Sequence, residues 1–152
     1  MNPVRRSAGR KAPLAIVVLL IGIQLVPVDR SNPPASGNVS APPEVQLILQ
    51  RACYDCHSNA TVWPWYSYVA PVSWLVARDV REGRRELNFS RWDSMMPGQL
   101  SNKMDEIRTR VEEGEMPLWF YVAVHPHAAL SAADIAALRE WTLAASPPAV
   151  VP

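Results

Sequence analysis

Hydrophobic side chains fall into one unbroken run and four stripes of helical period. The run is Leu14 to Ile23, continuing past Gln24 through Leu25, Val26 and Val28. The first stripe, Val45, Ile48, Leu49, Ala52, Cys53 and Cys56, recurs at spacings of three and four and predicts a helix opening at Pro43-Glu44, with both cysteines on its buried face. The second predicts a helix from Pro71 to Arg81 or Arg84, with Val72, Leu75, Val76 and Val80 on its apolar side and Gly83 near its end. Met104, Ile107 and Val111 form the third stripe, capped by Ser101 and ended by Gly114. Ile135, Leu138, Trp141 and Thr142 form the fourth, with Ser131 and Asp134 as a capping pair. No stretch alternates in the manner of strands. The expected fold is all-α, a small domain of about four helices preceded by an N-terminal membrane helix. Fifteen prolines require long irregular connections between the helices.

Charge divides the chain. Residues 1–43 carry five basic groups (Arg5, Arg6, Arg10, Lys11, Arg30) and one acid (Asp29), whereas residues 44–152 carry ten basic and thirteen acidic groups. A basic segment, 1–11, thus precedes an apolar segment, 12–28, which as a helix would be about 25 Å long, slightly short of a bilayer core of about 30 Å. The segment reads as a single-pass signal-anchor or a cleaved signal peptide. No Ala-x-Ala site closes it, and the nearest small-residue candidate, Ala35-Ser36-Gly37, lies well downstream, which favours the anchor. Basic residues before the span place the chain from residue 29 onward outside the inner membrane of a bacterium, facing the periplasm, or free in the periplasm if the segment is cleaved. Residues 29–43, rich in proline and serine, read as a tether, 44–145 as the folded domain, and 146–152 as a disordered tail. No basic cluster with interleaved aromatics points to nucleic acid.

Candidate chemistry centres on Cys53-Tyr54-Asp55-Cys56-His57, which holds the chain's only two cysteines. Cys-x-x-Cys-His is the attachment pattern of one covalent c-type haem: two sulfurs bond the porphyrin and the adjacent histidine coordinates iron. His57 is then the proximal ligand. An exported compartment suits that chemistry. It would also suit a disulfide, but a disulfide leaves His57 unexplained. Tyr54 and Asp55 are read as exposed and without chemistry.

His-Ser-Asn-Ala-Thr (57–61), then Trp-Pro-Trp-Tyr-Ser (63–67), Ala-Pro-Val-Ser-Trp (70–74), Glu-Gly-Arg (82–84) and Leu-Asn-Phe-Ser-Arg-Trp (87–92), resemble the small haem-binding domain family of exported bacterial proteins that carry Cys-x-x-Cys-His. The likeness covers about residues 44–145, and the stretch from Val26 to Pro34 is similar to the family's lead-in. The resemblance implies a covalent haem domain and leaves the redox partner unnamed. On chemistry alone, Trp63, Trp65, Tyr66 and Trp74 are candidates for the haem-pocket wall or for donors to a propionate, and equally for core packing. The alternating charges at 78–86 read as a solvated face from which one arginine could pair with a propionate.

The second face of the iron needs a decision. Met116-Pro117 lies 59 residues after His57, in the loop before the last helix, where small cytochromes c commonly place a Met-Pro. Proline holds the methionine in an extended turn, so Met116 is the favoured sixth ligand. His125 is the alternative, followed by His127, by another methionine (Met95, Met96 or Met104), and by an open or water-bound iron. Closed by Met116, the centre would be a single-electron carrier rather than a catalyst. Left open, it would be a gas sensor or weak peroxidase. A third class dispenses with haem: a zinc site using Cys53, Cys56, His57 and His125 or His127, or a thiol redox pair.

Overall fold

The computed structural model describes residues 8–145. The basic segment is thus described only from Ala8, and the tail 146–152 lies outside the described residues. Among the described residues there are seven α-helices and no strand, so the all-α expectation stands. These are α1 (Ala8–Gly22), α2 (Pro43–Ala52), α3 (Tyr54–His57), α4 (Val72–Glu86), α5 (Pro97–Glu112), α6 (Trp119–Val124) and α7 (Ala132–Ala145). The described residues form two compact units, one of residues 8–31 and 63–79, the other of 32–62 and 80–145.

In the first unit the apolar run is helical through Gly22 and then tightens into a 3-10 turn, Ile23–Leu25. No helix among the described residues is long and apolar enough to cross a membrane. The run's side chains are exposed from Leu14 to Ile21. Gln24 links its end to the loop before α4: its amide donates to the Leu20 and Ala70 carbonyls at 3.0 and 3.2 Å and accepts from Ala70 N at 2.9 Å. Arg30 donates to the Ser67 carbonyl at 3.1 Å and stacks 4.4 Å from the Tyr68 ring centre.

The second unit holds the core. α2 starts as expected, with Pro43 in its first turn and Val45, Ile48, Leu49 and Ala52 buried. Its cysteines depart from the expected stripe. The helix breaks at Cys53 (φ −125°, ψ −35°), so Cys53 sits at a kink with Cys56 on the turn beyond it, and both are half-buried instead of facing a continuous core. α5 begins at Pro97, four residues before Ser101, because the Gln99 side chain accepts from Met96 N and caps the helix there. Its Met104, Ile107 and Val111 are buried as the spacing predicts, and Gly114, at φ +71°, reverses the chain after it. α6 and the 3-10 turn Pro126–Ala128 carry no periodic signal in sequence.

Residues 32–41, expected as part of a tether, belong to this unit. Ser36 and Gly37 N–H groups donate to the Ser90 carbonyl at 2.9 and 3.2 Å, Val39 is buried, and the Ser40 carbonyl accepts from Trp141 Nε1 at 3.3 Å. Gly37 fits because it has no side chain: a Cβ there would overlap the Asp93 carboxylate. Hydrogen bonds to backbone leave no hydrophobic period, which is why the segment reads as a linker in sequence.

α7 packs on α2 and α5, and its start is the predicted capping pair. Asp134 accepts from Ser131 N and Oγ, both at 2.7 Å, and pairs with Arg51 of α2 at 2.6 Å. Arg51 also donates to the His127 and Ala129 carbonyls, at 2.7 and 2.9 Å. The Arg51 hydrogen bond, then those from Ser131, hold the Asp134 carboxyl at about 2, below the ordinary 3.8. A depressed folded-state pKa contributes stability above the ordinary value that is lost as pH falls through the folded one. Urea unfolding should therefore show the native chain weakening from pH 3.8 to about 2, with Asp134→Asn flatter across that window. At neutral pH Asp134→Ala should cost about 1 kcal/mol, the usual worth of a helix cap.

Candidate haem site

Cys53, Cys56 and His57 occupy one turn, closed by bonds from Cys56 N and His57 N to the Cys53 carbonyl at 3.2 and 2.9 Å. The two sulfurs are thiols, not a disulfide. His57 Nδ1 lies 3.0 Å from the Gly83 carbonyl and 3.2 Å from that of Leu87. Both neighbours are acceptors only, so Nδ1 carries the proton and Nε2 the lone pair. Burial lowers the imidazole pKa, opposed by those two carbonyls, so the ring is neutral at neutral pH. A neutral imidazole with its far nitrogen held by backbone is the state in which histidine ligates metal.

The last turns of α4 supply this orientation because Gly83 lets them approach. A Cβ at residue 83 would stand 2.6 Å from the Cys56 carbonyl oxygen and 3.1 Å from Cys56 Cβ. Gly83 lies near the end of α4, as its spacing predicts, and there only a side-chain-free residue admits the cysteine turn. Arg84, one residue on, donates to the Ser58 carbonyl at 2.7 Å, to Thr61 Oγ1 at 2.9 Å and to Asn32 Oδ1 at 2.8 Å. It thus shapes the chain after His57, although the alternating charges of α4 predict a solvated face there.

A buried polar web completes the support. Asn88 donates to Asn59 Oδ1 at 2.8 Å and accepts from Ser90 N at 2.9 Å, and Ser90 Oγ accepts from Asn59 N at 3.0 Å. Asn88 and Ser90 belong to an Asn-x-Ser turn, the one local signal that could have marked them. Tyr54 and Asp55, expected to be exposed, are both half-buried. Tyr54 stacks on Phe89 with ring centres 5.4 Å apart, and the stack continues through Trp92 to Trp141 at 5.7 and 6.3 Å. Asp55 accepts from Val62 N at 2.9 Å and from the Tyr121 hydroxyl at 2.8 Å. The second bond joins the cysteine turn to α6.

That link bears on the candidates for the sixth position. Met116 is half-buried in the turn between Gly114 and α6, its N–H bonded to the Arg110 carbonyl at 3.1 Å. His125 ends α6, stacked on Tyr121 at 4.2 Å, and His127 is exposed with its ring edge-on to His125 at 5.7 Å. Met104 is core, 1% exposed, and Met96 is on the surface. Trp63, Trp65, Tyr66 and Trp74 lie in the other unit. Trp65 and Trp74 are exposed, Tyr66 is half-buried, and Trp63 buries its Nε1 donor without a hydrogen-bond partner.

The donor set suits haem better than its rivals. Among the described residues no three His, Cys, Asp or Glu side chains gather as a metal-binding group, so the cysteine turn and His125 or His127 do not compose a zinc site. Burial, reinforced by Cys56 and partly offset by Arg51, pushes the Cys53 thiol up to about 12. Thiol oxidoreductases depend on the opposite shift. A family model described as a haem-binding domain matches residues 18–144. The chain belongs to this haem-binding domain family. Comparison with curated proteins and with solved structures gives no match. Haem is thus the cofactor of this domain, and the family match takes in the apolar run from Val18, the docked segment 32–41 and both units.

Proposed function

We propose that the domain carries one covalent c-type haem and passes single electrons at the outer face of a bacterial inner membrane, tethered by residues 12–28. The orientation of His57 carries this reading: Nδ1 is committed to the Gly83 and Leu87 carbonyls, leaving Nε2 as the iron donor. Cys53 and Cys56, on the same turn, supply the two thioether positions. The haem would supply reversible one-electron exchange at its iron. The protein's part is to hold that centre still. Gly83 and Leu87 fix the imidazole, Arg84 and the Asn59–Asn88–Ser90 web fix the chain leaving it, and Asp55 ties the turn to α6 through Tyr121.

Met116 is proposed as the sixth ligand, because it stands on the turn leading into the helix that Asp55 holds. Its thioether favours ferrous iron and leaves no position for substrate, which makes the domain a carrier rather than a catalyst. Visible spectra of haem-loaded protein test this. The expected result is a methionine-to-ferric-iron charge-transfer band that Met116→Ala abolishes while His125→Ala retains it. A high-spin spectrum with ready carbon monoxide binding in the unaltered protein would contradict it. The redox partner is a protein of the same compartment.

A further inference from the structure

Residues 63–77 contain no charged side chain, and neither do residues 12–28. Both stretches belong to the same unit, where Gln24 clamps the end of the apolar run to the Ala70 backbone through two hydrogen bonds. Sequence periodicity assigns Val72 and Leu75 to an inward face of α4, yet they are 44% and 47% exposed, while Val80, further along, is 3% exposed. Trp65, Tyr68 and Val69 are 78%, 59% and 46% exposed. The apolar surface therefore continues from the run onto the loop and first turns of α4, and charge returns only at Arg78-Asp79.

We propose that Trp65, Tyr68, Val69, Val72 and Leu75 form a shelf seated in the interfacial layer of the bilayer that residues 12–28 enter. The shelf rests on the membrane tether proposed for those residues. α1 begins at Ala8 and carries Arg10 and Lys11, so its uncharged part, residues 12–22, is about 16 Å long, short of a hydrocarbon core of about 30 Å. An apolar shelf at its outer end extends the lipid-contacting surface and relieves that mismatch. Its chemistry fits the position. Tryptophan and tyrosine settle at the headgroup level with rings toward the acyl chains, and Arg30, stacked on Tyr68, puts a cation where lipid phosphates lie. A shelf fixed to the anchor by Gln24 would hold this unit against the membrane surface, where a bare linker would let it swing.

Nitroxide labels on the full-length, haem-loaded chain reconstituted in phosphatidylethanolamine–phosphatidylglycerol vesicles test the shelf, since Cys53 and Cys56 are then consumed. Single labels are placed through Val69→Cys and Val72→Cys, with Val17→Cys reporting the tether and Leu47→Cys reporting an exposed site on α2. Collision with oxygen and with a water-soluble nickel complex is read at each. The expected result is severalfold protection from nickel with retained oxygen access at 69, 72 and 17, and full nickel access at 47. Nickel access at 69 and 72 with protection at 17 would overturn the shelf while leaving the tether standing. Protection from both probes at 69 and 72 would mean a protein contact and also overturn it. Nickel access at 17 would remove the tether and the shelf together.

Discussion

Phe89→Ala is expected to destabilise the unit that holds the core by about 3–5 kcal/mol, the usual cost of emptying a buried phenylalanine site. Phe89 is 2% exposed and sits between Tyr54 and Trp92 in a stack that runs on to Trp141 of α7. The cavity would be lined by the flat rings of Tyr54 and Trp92, which pack in one core cluster with buried residues of α2, α5 and α7, so collapse into it would be limited. Tyr54 lies between the two cysteines, so the loss would reach the site as well as the core. Urea unfolding at neutral pH measures the effect. Phe89→Leu, which keeps most of the volume and loses the stack, should cost less.

Gly83→Ala should destabilise as well, against the direction that helix propensity gives. Alanine inside a helix is favoured over glycine by about 1 kcal/mol. Here the added methyl meets the Cys56 carbonyl at 2.6 Å, a backbone atom that a rotamer change cannot move. Relief requires α4 to withdraw from the cysteine turn, at the cost of about 1–3 kcal/mol typical of overpacking. Withdrawal also takes the Gly83 carbonyl from His57 Nδ1, so the variant should bind less haem per chain even where it remains folded. A matched control, Gly98→Ala, has open space around its Cβ position and should leave haem content unchanged.

What the sequence makes legible is what repeats. The stripes of α2, α5 and α7 set their buried faces, and Ser131-Asp134 marks a helix start, because helical period and capping are local properties. The kink at Cys53 is hidden because both cysteines continue the spacing of α2 while the backbone departs from it. Residues 32–41 resemble a tether because they are held by backbone hydrogen bonds and one buried valine, neither of which has a period. Val72 and Leu75 follow the apolar pattern of α4 yet stand exposed: hydrophobic spacing marks an apolar face, not whether the rest of the chain covers it. At the site, the Cys-x-x-Cys-His run carries the proposed attachment chemistry. The groups that orient it, the Gly83 and Leu87 carbonyls and the Asp55–Tyr121 bond, come from backbone and from distant positions that no short motif records.

Covalent haem content tests the central claim most directly. The full chain, produced in a host that attaches c-type haem, is run on a denaturing gel, stained for haem and weighed intact. A stained band whose mass exceeds the polypeptide by one haem, with both stain and added mass lost in the Cys53→Ser, Cys56→Ser double variant, is the predicted result. An unstained band at polypeptide mass would contradict covalent attachment through this turn.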